Sequence, residues 1–330
     1  MDDALRIEGL RVYYHERDRV VKAVDGVDLT LRRGSTLAIV GESGCGKTTV
    51  AMAALNLVPH PGVIESGRIL LEGTDLLTMK PDELRHARGN AISMIFQDPV
   101  SGLNPVLTVG AQVEEIIRAH SDVSKKEAKR LAASALAREG LAEPERIMSS
   151  FPFQLSGGMC QRVMIAIATI LQPRVIIADE PTSALDVTVQ AGILNELQRL
   201  KNTLGASIIL ITHDLGVVAQ MADDVAVMYA GRIVELGSAD DVFAQASHPY
   251  TAALMNARPR LDSERQPLQA IKGTPPDLGA LTGECAFLPR CSKAVNACRT
   301  QPWPDLSEIA AGHVAACYNP MFHPEHAEVS

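Results

Sequence analysis

Apolar and polar positions alternate with period two along the first stretch of the chain. Leu5–Tyr14 and Val24–Leu31 follow this pattern and predict strands with one buried face. Leu37-Ala38-Ile39-Val40 is apolar throughout, a short strand of the fully buried kind, and it runs into Gly41. A helix is expected from about Lys47 to Val58, stopped by Pro59 and Pro61. Gly67–Glu72 and Ala91–Phe96 predict two further strands. From Val109 the spacing becomes helical: Val109–His120 and Lys125–Glu139 carry many charges, and Gly157–Leu171 is more apolar. Short strands then alternate with helices. Val175–Ala178, Ser207–Thr212 and Val225–Tyr229 predict strands, and Val187–Leu204 and Leu215–Met221 predict helices. This alternation implies a parallel sheet covered on both faces. After about Phe243 the texture shifts, and Pro259, Pro267, Gly273, Pro275, Pro276 and Gly279 mark a linker. It leads into a small module over about 260–330 that lacks a periodic core. No internal repeat or low-complexity tract is visible.

Composition narrows the function classes. The 330 residues are 46% apolar, enough for a real core and too apolar for disorder. Aromatics supply only 4%, so aliphatic side chains must fill that core. The net charge of −8 argues against general nucleic-acid binding. The longest apolar runs, such as the nine residues Val163–Leu171, fall short of the roughly twenty a membrane span needs. The start, Met1-Asp2-Asp3-Ala4, is acidic and unlike a signal peptide, so a cytoplasmic location is expected. In that compartment the six cysteines do not read as a disulfide framework.

Three segments carry chemistry. Gly41-Glu42-Ser43-Gly44-Cys45-Gly46-Lys47-Thr48 fits G-x-x-x-x-G-K-S/T between an expected strand and an expected helix. Such a loop wraps a phosphate in backbone N–H groups, and the helix N-terminus adds its dipole. Ser43, Gly44, Cys45, Gly46, Lys47, Thr48 and Thr49 are the candidate nucleotide contacts. Lys47 would reach the β- and γ-phosphates and Thr48 would ligate Mg²⁺. Val175-Ile176-Ile177-Ala178-Asp179-Glu180 is an apolar strand delivering two carboxylates at its C-terminal end. Asp179 suits the Mg²⁺ shell, and Glu180 suits the polarisation of an attacking water. Leu155-Ser156-Gly157-Gly158-Met159 opens a helix with a serine and two glycines, a second phosphate-binding N-terminus.

In this order the three segments resemble the ATP-binding cassette of ABC transporters, over about residues 4–250. The resemblance implies an α/β P-loop cassette with a parallel sheet core and an antiparallel β region. It also implies an inserted helical subdomain at about 98–172, within an ATP-binding domain 1–258, and a small Cys-containing extension at 259–330. It makes Gln97 the Q-loop residue, a ligand of Mg²⁺ close to the chemistry, and Ser183-Ala184-Leu185-Asp186 the D-loop, with Asp186 near the nucleotide. His213 becomes the switch histidine, and Tyr14 the ring that stacks on adenine, with Tyr13 as the alternate. Met159 departs from the usual signature, which carries Gln there. The plainer readings stay open: a polar loop residue for Gln97, an N-cap-region histidine for His213 and a strand residue for Tyr14. Cys45 and Cys160 read as small fillers.

A branch of the family is legible too. The stretch 96–105 (Phe96-Gln97-Asp98-Pro99-Val100-Ser101-Gly102-Leu103-Asn104-Pro105), Leu155–Arg162 and His248-Pro249-Tyr250-Thr251 resemble the ATPases of oligopeptide, dipeptide and nickel importers. This implies ATP hydrolysis that powers uptake through two separate membrane permease subunits. It implies a second, related cassette supplying its signature segment in trans, and an extracytoplasmic binding protein that selects cargo. The chain would sit at the cytoplasmic face of the inner membrane, with no nucleic-acid partner. A nickel-chelate or glutathione importer is the near alternative; a soluble ABC ATPase acting on nucleic acid or ribosomes is the distant one. Cys285, Cys291, Cys298 and Cys317 are spaced C-x5-C-x6-C-x18-C. That spacing is wider than the pairs of most zinc sites, and some relatives hold a 4Fe-4S cluster here, so a structural cluster is expected, with zinc or free thiols as alternatives. An iron- or redox-sensing role would coexist with transport. Far along the chain from every nucleotide motif, these cysteines are expected to take no part in hydrolysis.

Overall fold

A computed structural model of the chain describes residues 3–99, 102–183, 186–257 and 271–322. The chain divides into two compact units. One comprises Met1–Leu5, Leu31–Ser35 and Thr78–Ile211, the other Arg6–Thr30, Thr36–Leu77 and Thr212–Ser330.

In the first unit three parallel strands lie side by side, Ile92–Ile95, Val175–Asp179 and Ser207–Ile211, with Val175–Asp179 in the middle. Each is buried along its whole length, so the sequence shows apolar runs with no alternation. The helices Val109–His120, Lys125–Arg138, Pro144–Ser149 and Gly157–Thr169 pack on a core of Leu103, Val113, Ile117, Leu136, Ile147 and Val163. Lys125–Arg138 turns Ala128, Ala132 and Ala135 inward, small side chains that let its neighbours approach closely. The helix starts are capped as their sequences demand. Thr108 accepts from the Ala111 N–H at 3.3 Å and Ser124 from the Glu127 N–H at 3.2 Å.

In the second unit Val20–Arg32, Asp3–His15, Gly62–Leu71 and Thr74–Asp75 form a sheet in that order, the last two antiparallel. Beside it Thr36–Val40 pairs in parallel with Asp224–Tyr229. Arg232–Ser238 follows antiparallel, with a bulge between Ile233 and Glu235. The strand His313–Ala315 then adds to Arg232–Ser238, and Ser307–Ala310 pairs with it in turn. Residues after 270 therefore extend a sheet of this unit. They also enter its core: Phe287 and Trp303 are buried with Tyr229, Tyr250, Val234 and Val242. The segment shows no periodic pattern in sequence because what it buries is these two aromatics, set among polar residues and prolines.

A buried carboxylate ties the returning chain down. Glu235 is wholly enclosed and accepts from the Ser247 and His248 N–H groups, both at 2.7 Å, and it pairs with His313 Nε2 at 2.8 Å.

The helix expected to reach Val58 stops at Ala54. Asn56 adopts φ +49°, which ends the helix before either proline acts. The strand expected from Gly67 begins earlier, at Gly62. The helix Pro81–Asn90, the strand Arg232–Ser238 and the helix Pro249–Asn256 are additions to the expected set. Of the motif residues, Val100, Ser101, Ala184 and Leu185 lie outside the described residues, as do 258–270, where the expected domain boundary and much of the linker fall.

Candidate active site

In the second unit the strand Thr36–Val40 delivers Gly41 into a loop that closes on the helix Lys47–Ala54. Two glycines are forced by what lies behind that loop. A Cβ on Gly41, at φ +156°, would stand 2.2 Å from the Met228 carbonyl oxygen. A Cβ on Gly46, at φ +109°, would stand 2.1 Å from the Ala23 carbonyl oxygen. The Cys45 carbonyl accepts from the Gly231 N–H at 2.9 Å, so the loop is laced to the neighbouring chain. Lys47 is almost fully buried and donates from Nζ to the carbonyls of Gly41 (2.8 Å) and Glu42 (2.9 Å). Ser43, Gly44 and Thr48 are exposed, and Thr49 is half-buried. Cys45 is buried, packed 3.8 Å from the Lys47 ammonium, and burial pushes its thiol upward.

The two candidate rings separate clearly. Tyr13 donates its hydroxyl to Asp25 at 2.7 Å, and burial together with that carboxylate pushes its pKa up to about 12. Tyr14 is half-buried, its ring edge lying against Gly62, where a Cβ would come within 2.7 Å of it. His213 is exposed after the buried Thr212, just before the helix Leu215–Met221 that Asp214 caps.

In the first unit Asp179 is the last residue of the central strand and 1% exposed. Glu180 follows with φ +43°, a strained conformation for a non-glycine residue, held by its N–H donating to the Ile211 carbonyl at 2.8 Å. Gln97 Nε2 donates to Glu180 Oε2 at 3.1 Å, so these two candidates meet. Ser156 caps the helix Gly157–Thr169 by accepting from the Met159 N–H at 3.3 Å. Ser156 and Gly157 are exposed, Gly158 half-buried. Asp186 caps the helix Val187–Leu204 through the Thr188 and Val189 N–H groups, both at 3.0 Å. One contact escaped the sequence reading. Gln161 is buried in the helix Gly157–Thr169 and donates to the Pro181 carbonyl at 2.9 Å, joining that helix to the residue after Glu180. Its only sequence signal is a polar residue on a largely apolar helix, beside Arg162.

The four late cysteines are free thiols that line one cavity together with His248, Phe287, Leu288 and Ala316. Burial pushes Cys285 up to about 11 and Cys317 up to about 12. Among the described residues, no three His, Cys, Asp or Glu side chains are set as a metal site. The distance from these cysteines to the nucleotide motifs along the chain is not a distance in space. Arg290, between Cys285 and Cys291, forms a bidentate pair with Glu42 of the P-loop at 2.6 and 2.9 Å. That contact brings the cysteine-bearing segment to the loop that follows Thr36–Val40.

Comparison with known proteins places the chain in a family. The ABC transporter family profile matches residues 24–183, and that of the oligopeptide/dipeptide transporter C-terminal region matches 234–298. The oligopeptide transport ATP-binding protein AppD of Bacillus subtilis is 44% identical, with both chains covered in full. The oligopeptide transport ATP-binding protein OppD of Escherichia coli is 45% identical over 97% of this chain and 94% of its own. Among solved structures, the dimeric ATP-binding cassette MJ0796 in a post-hydrolysis state with ADP and Pi is similar at 28% identity and TM-score 0.63. That likeness spans 71% of this chain and 98% of that one. A glycine-forced P-loop, a buried strand-end carboxylate followed by a strained glutamate, and a serine-capped glycine helix thus accompany full-length likeness to transport ATPases: the chain belongs to the ABC transporter ATP-binding family, in its oligopeptide/dipeptide branch, and is an ATPase.

Proposed function

We propose that this chain hydrolyses ATP to drive uptake of dipeptides or oligopeptides through separate membrane subunits. The observation that carries the reading is the joint match of the cassette and of the C-terminal region to one transporter branch, along a relative covered end to end. Among the described residues no helix is long and apolar enough to cross a membrane, which fits a pathway built by two permease subunits. The chain then acts peripherally, on the inner face of the inner membrane, with an extracytoplasmic binding protein selecting the cargo.

The candidates divide the work. Lys47 and the N–H groups of 43–49 hold the β- and γ-phosphates, and Tyr14 stacks on adenine, since Tyr13 is engaged by Asp25. Thr48, Gln97 and Asp179 offer hard oxygen donors of the kind Mg²⁺ takes, and the ion would neutralise charge on the transferring phosphoryl group. Glu180 orients and deprotonates water, Gln97 holds Glu180 in place, and His213 steadies the γ-phosphate. Ser156, Gly157 and Gly158 act on the nucleotide of a second cassette, a related chain, with Asp186 at that junction. Soft thiols around one cavity suit a 4Fe-4S cluster, with zinc as the alternative, once the four are drawn together. Protein purified without oxygen would then contain about four iron per chain; stoichiometric zinc selects the alternative.

The test is reconstitution. Lys47→Ala should lose nucleotide affinity, while Glu180→Gln should keep it and slow hydrolysis by orders of magnitude, about 10²-fold or more. Co-purification with two membrane subunits and peptide-stimulated turnover in proteoliposomes support import. Co-purification with ribosomes and no membrane subunit overturns it.

A further inference from the structure

Glu42 places a carboxylate inside a loop meant for phosphates. An unpaired negative charge there opposes the ligand. Its compensation comes from 248 residues away: Arg290 Nη1 and Nη2 donate to Glu42 Oε2 and Oε1 at 2.6 and 2.9 Å. The Arg290 side chain is 4% exposed and that of Glu42 24%, so the pair is largely shielded from solvent. Arg290 is fixed in turn. Its Nε donates to the Lys272 carbonyl at 2.9 Å, Nη1 also donates to the Tyr229 hydroxyl at 3.2 Å, and the guanidinium lies over the rings of Tyr229 and Phe287. The backbone of Glu42 is held from the same side, its N–H donating to the Tyr250 hydroxyl at 2.8 Å. Tyr229, Tyr250 and Phe287 pack against one another with centroids 4.5 to 5.4 Å apart, which makes one rigid aromatic floor. The carbonyl of this same Glu42 receives the Lys47 ammonium.

We propose that Arg290 is a positioning residue for nucleotide binding: it neutralises Glu42 and fixes the peptide that orients Lys47, so that the C-terminal segment sets the cassette's ATP affinity. This rests on the reading of Gly41–Thr48 as the ATP loop. Arg290 itself touches no phosphate. Its effect is exerted through Glu42, which separates it from a residue needed only for folding.

The experiment titrates a fluorescent ATP analogue into the full chain and follows ATPase turnover in the assembled transporter. Arg290→Ala is expected to weaken nucleotide binding about tenfold or more and to raise KM, with kcat within about twofold. Arg290→Lys should recover part of the loss, because it returns the charge without the bidentate fork. The double variant Arg290→Ala/Glu42→Gln should recover most of it, because no carboxylate is left to repel phosphate. Wild-type affinity in Arg290→Ala overturns the proposal. So does a double variant that binds as weakly as Arg290→Ala, which would trace the loss to the fold. If the parent chain and Lys47→Ala both fail to bind the analogue, the ATP-loop reading fails instead, whatever Arg290 does.

Discussion

Two glycine-bearing segments of this protein are assigned to phosphate groups by the proposed function, and they are built in opposite ways. The P-loop is packed from behind: any Cβ on Gly41 or Gly46 runs into backbone oxygen, and a clamp from far along the chain holds Glu42. The signature segment is open. A Cβ on Gly157 would meet nothing within 4 Å, and one on Gly158 only Val189 at 3.3 Å. Gly41 and Gly46 are thus demanded by this chain's own fold. Gly157 is not, which agrees with a segment whose counterpart belongs to another molecule.

Gly46→Ala tests the first half of that contrast and should have the largest effect. The backbone must shift to admit the methyl group, which should cost more than about 3 kcal/mol and abolish nucleotide binding. Thermal melts and nucleotide titration would measure both, and a folded variant that still binds nucleotide would break the comparison.

Protonation sharpens the contrast between the two units. Glu139 is buried, and its pKa is pushed up to about 7, first by burial and then by the Glu196 carboxylate, with Arg199 opposing. A raised carboxyl contributes stability below its unfolded value near 4.5 and loses it as pH climbs towards 7. His248, in the other unit, is pushed down to about 4 by burial, partly offset by Glu235. Its contribution is present above 6.5 and is lost as pH falls towards 4. Melting temperatures between pH 4.5 and 7 should therefore lose their downward Glu139 component in Glu139→Gln. In His248→Asn, which keeps a cap for the Tyr250 N–H, the upward component should go. Unchanged profiles in both would refute the assignment.

Asp186→Ala removes one cap from the helix Val187–Leu204 and should cost about 1 kcal/mol, read by denaturant unfolding. The smallest stability effect belongs to Gly157→Ala. It should leave the melting temperature within about 2 °C, since the added methyl group has open space and alanine favours a helix. Turnover of the assembled transporter should nonetheless fall. Full turnover would show that this helix start faces no nucleotide.

What the sequence discloses follows from how local each device is. Gly41–Thr48 is legible because eight consecutive positions carry its chemistry, and Val175–Glu180 because a buried strand ending in two carboxylates is unusual. The Glu42–Arg290 pair joins two ordinary residues across 248 positions, with no spacing that marks either one. Gln161 is hidden in the same way, its partner being a backbone carbonyl that any residue would supply. Thr74–Asp75 is too short to show a period. The helix Lys47–Ala54 is shorter than its pattern predicts because Leu55, Leu57 and Val58 continue the apolar spacing past Asn56, where the backbone turns left-handed. Tyr13 and Tyr14 are alike in sequence and are separated only by Asp25, which the fold brings to one of them.

The position of Arg290 also bears on how the protein is born. Synthesis delivers the P-loop early, and its clamp emerges only after 248 further residues. On the role proposed for Arg290, Glu42 stands uncompensated until then, and a nascent cassette would grip ATP poorly even with its loop and helix formed. High affinity would then arrive only as Arg290 docks on Glu42, late in synthesis. A fragment ending at the expected cassette boundary near 258 would show a weak ATP site that says little about the whole protein.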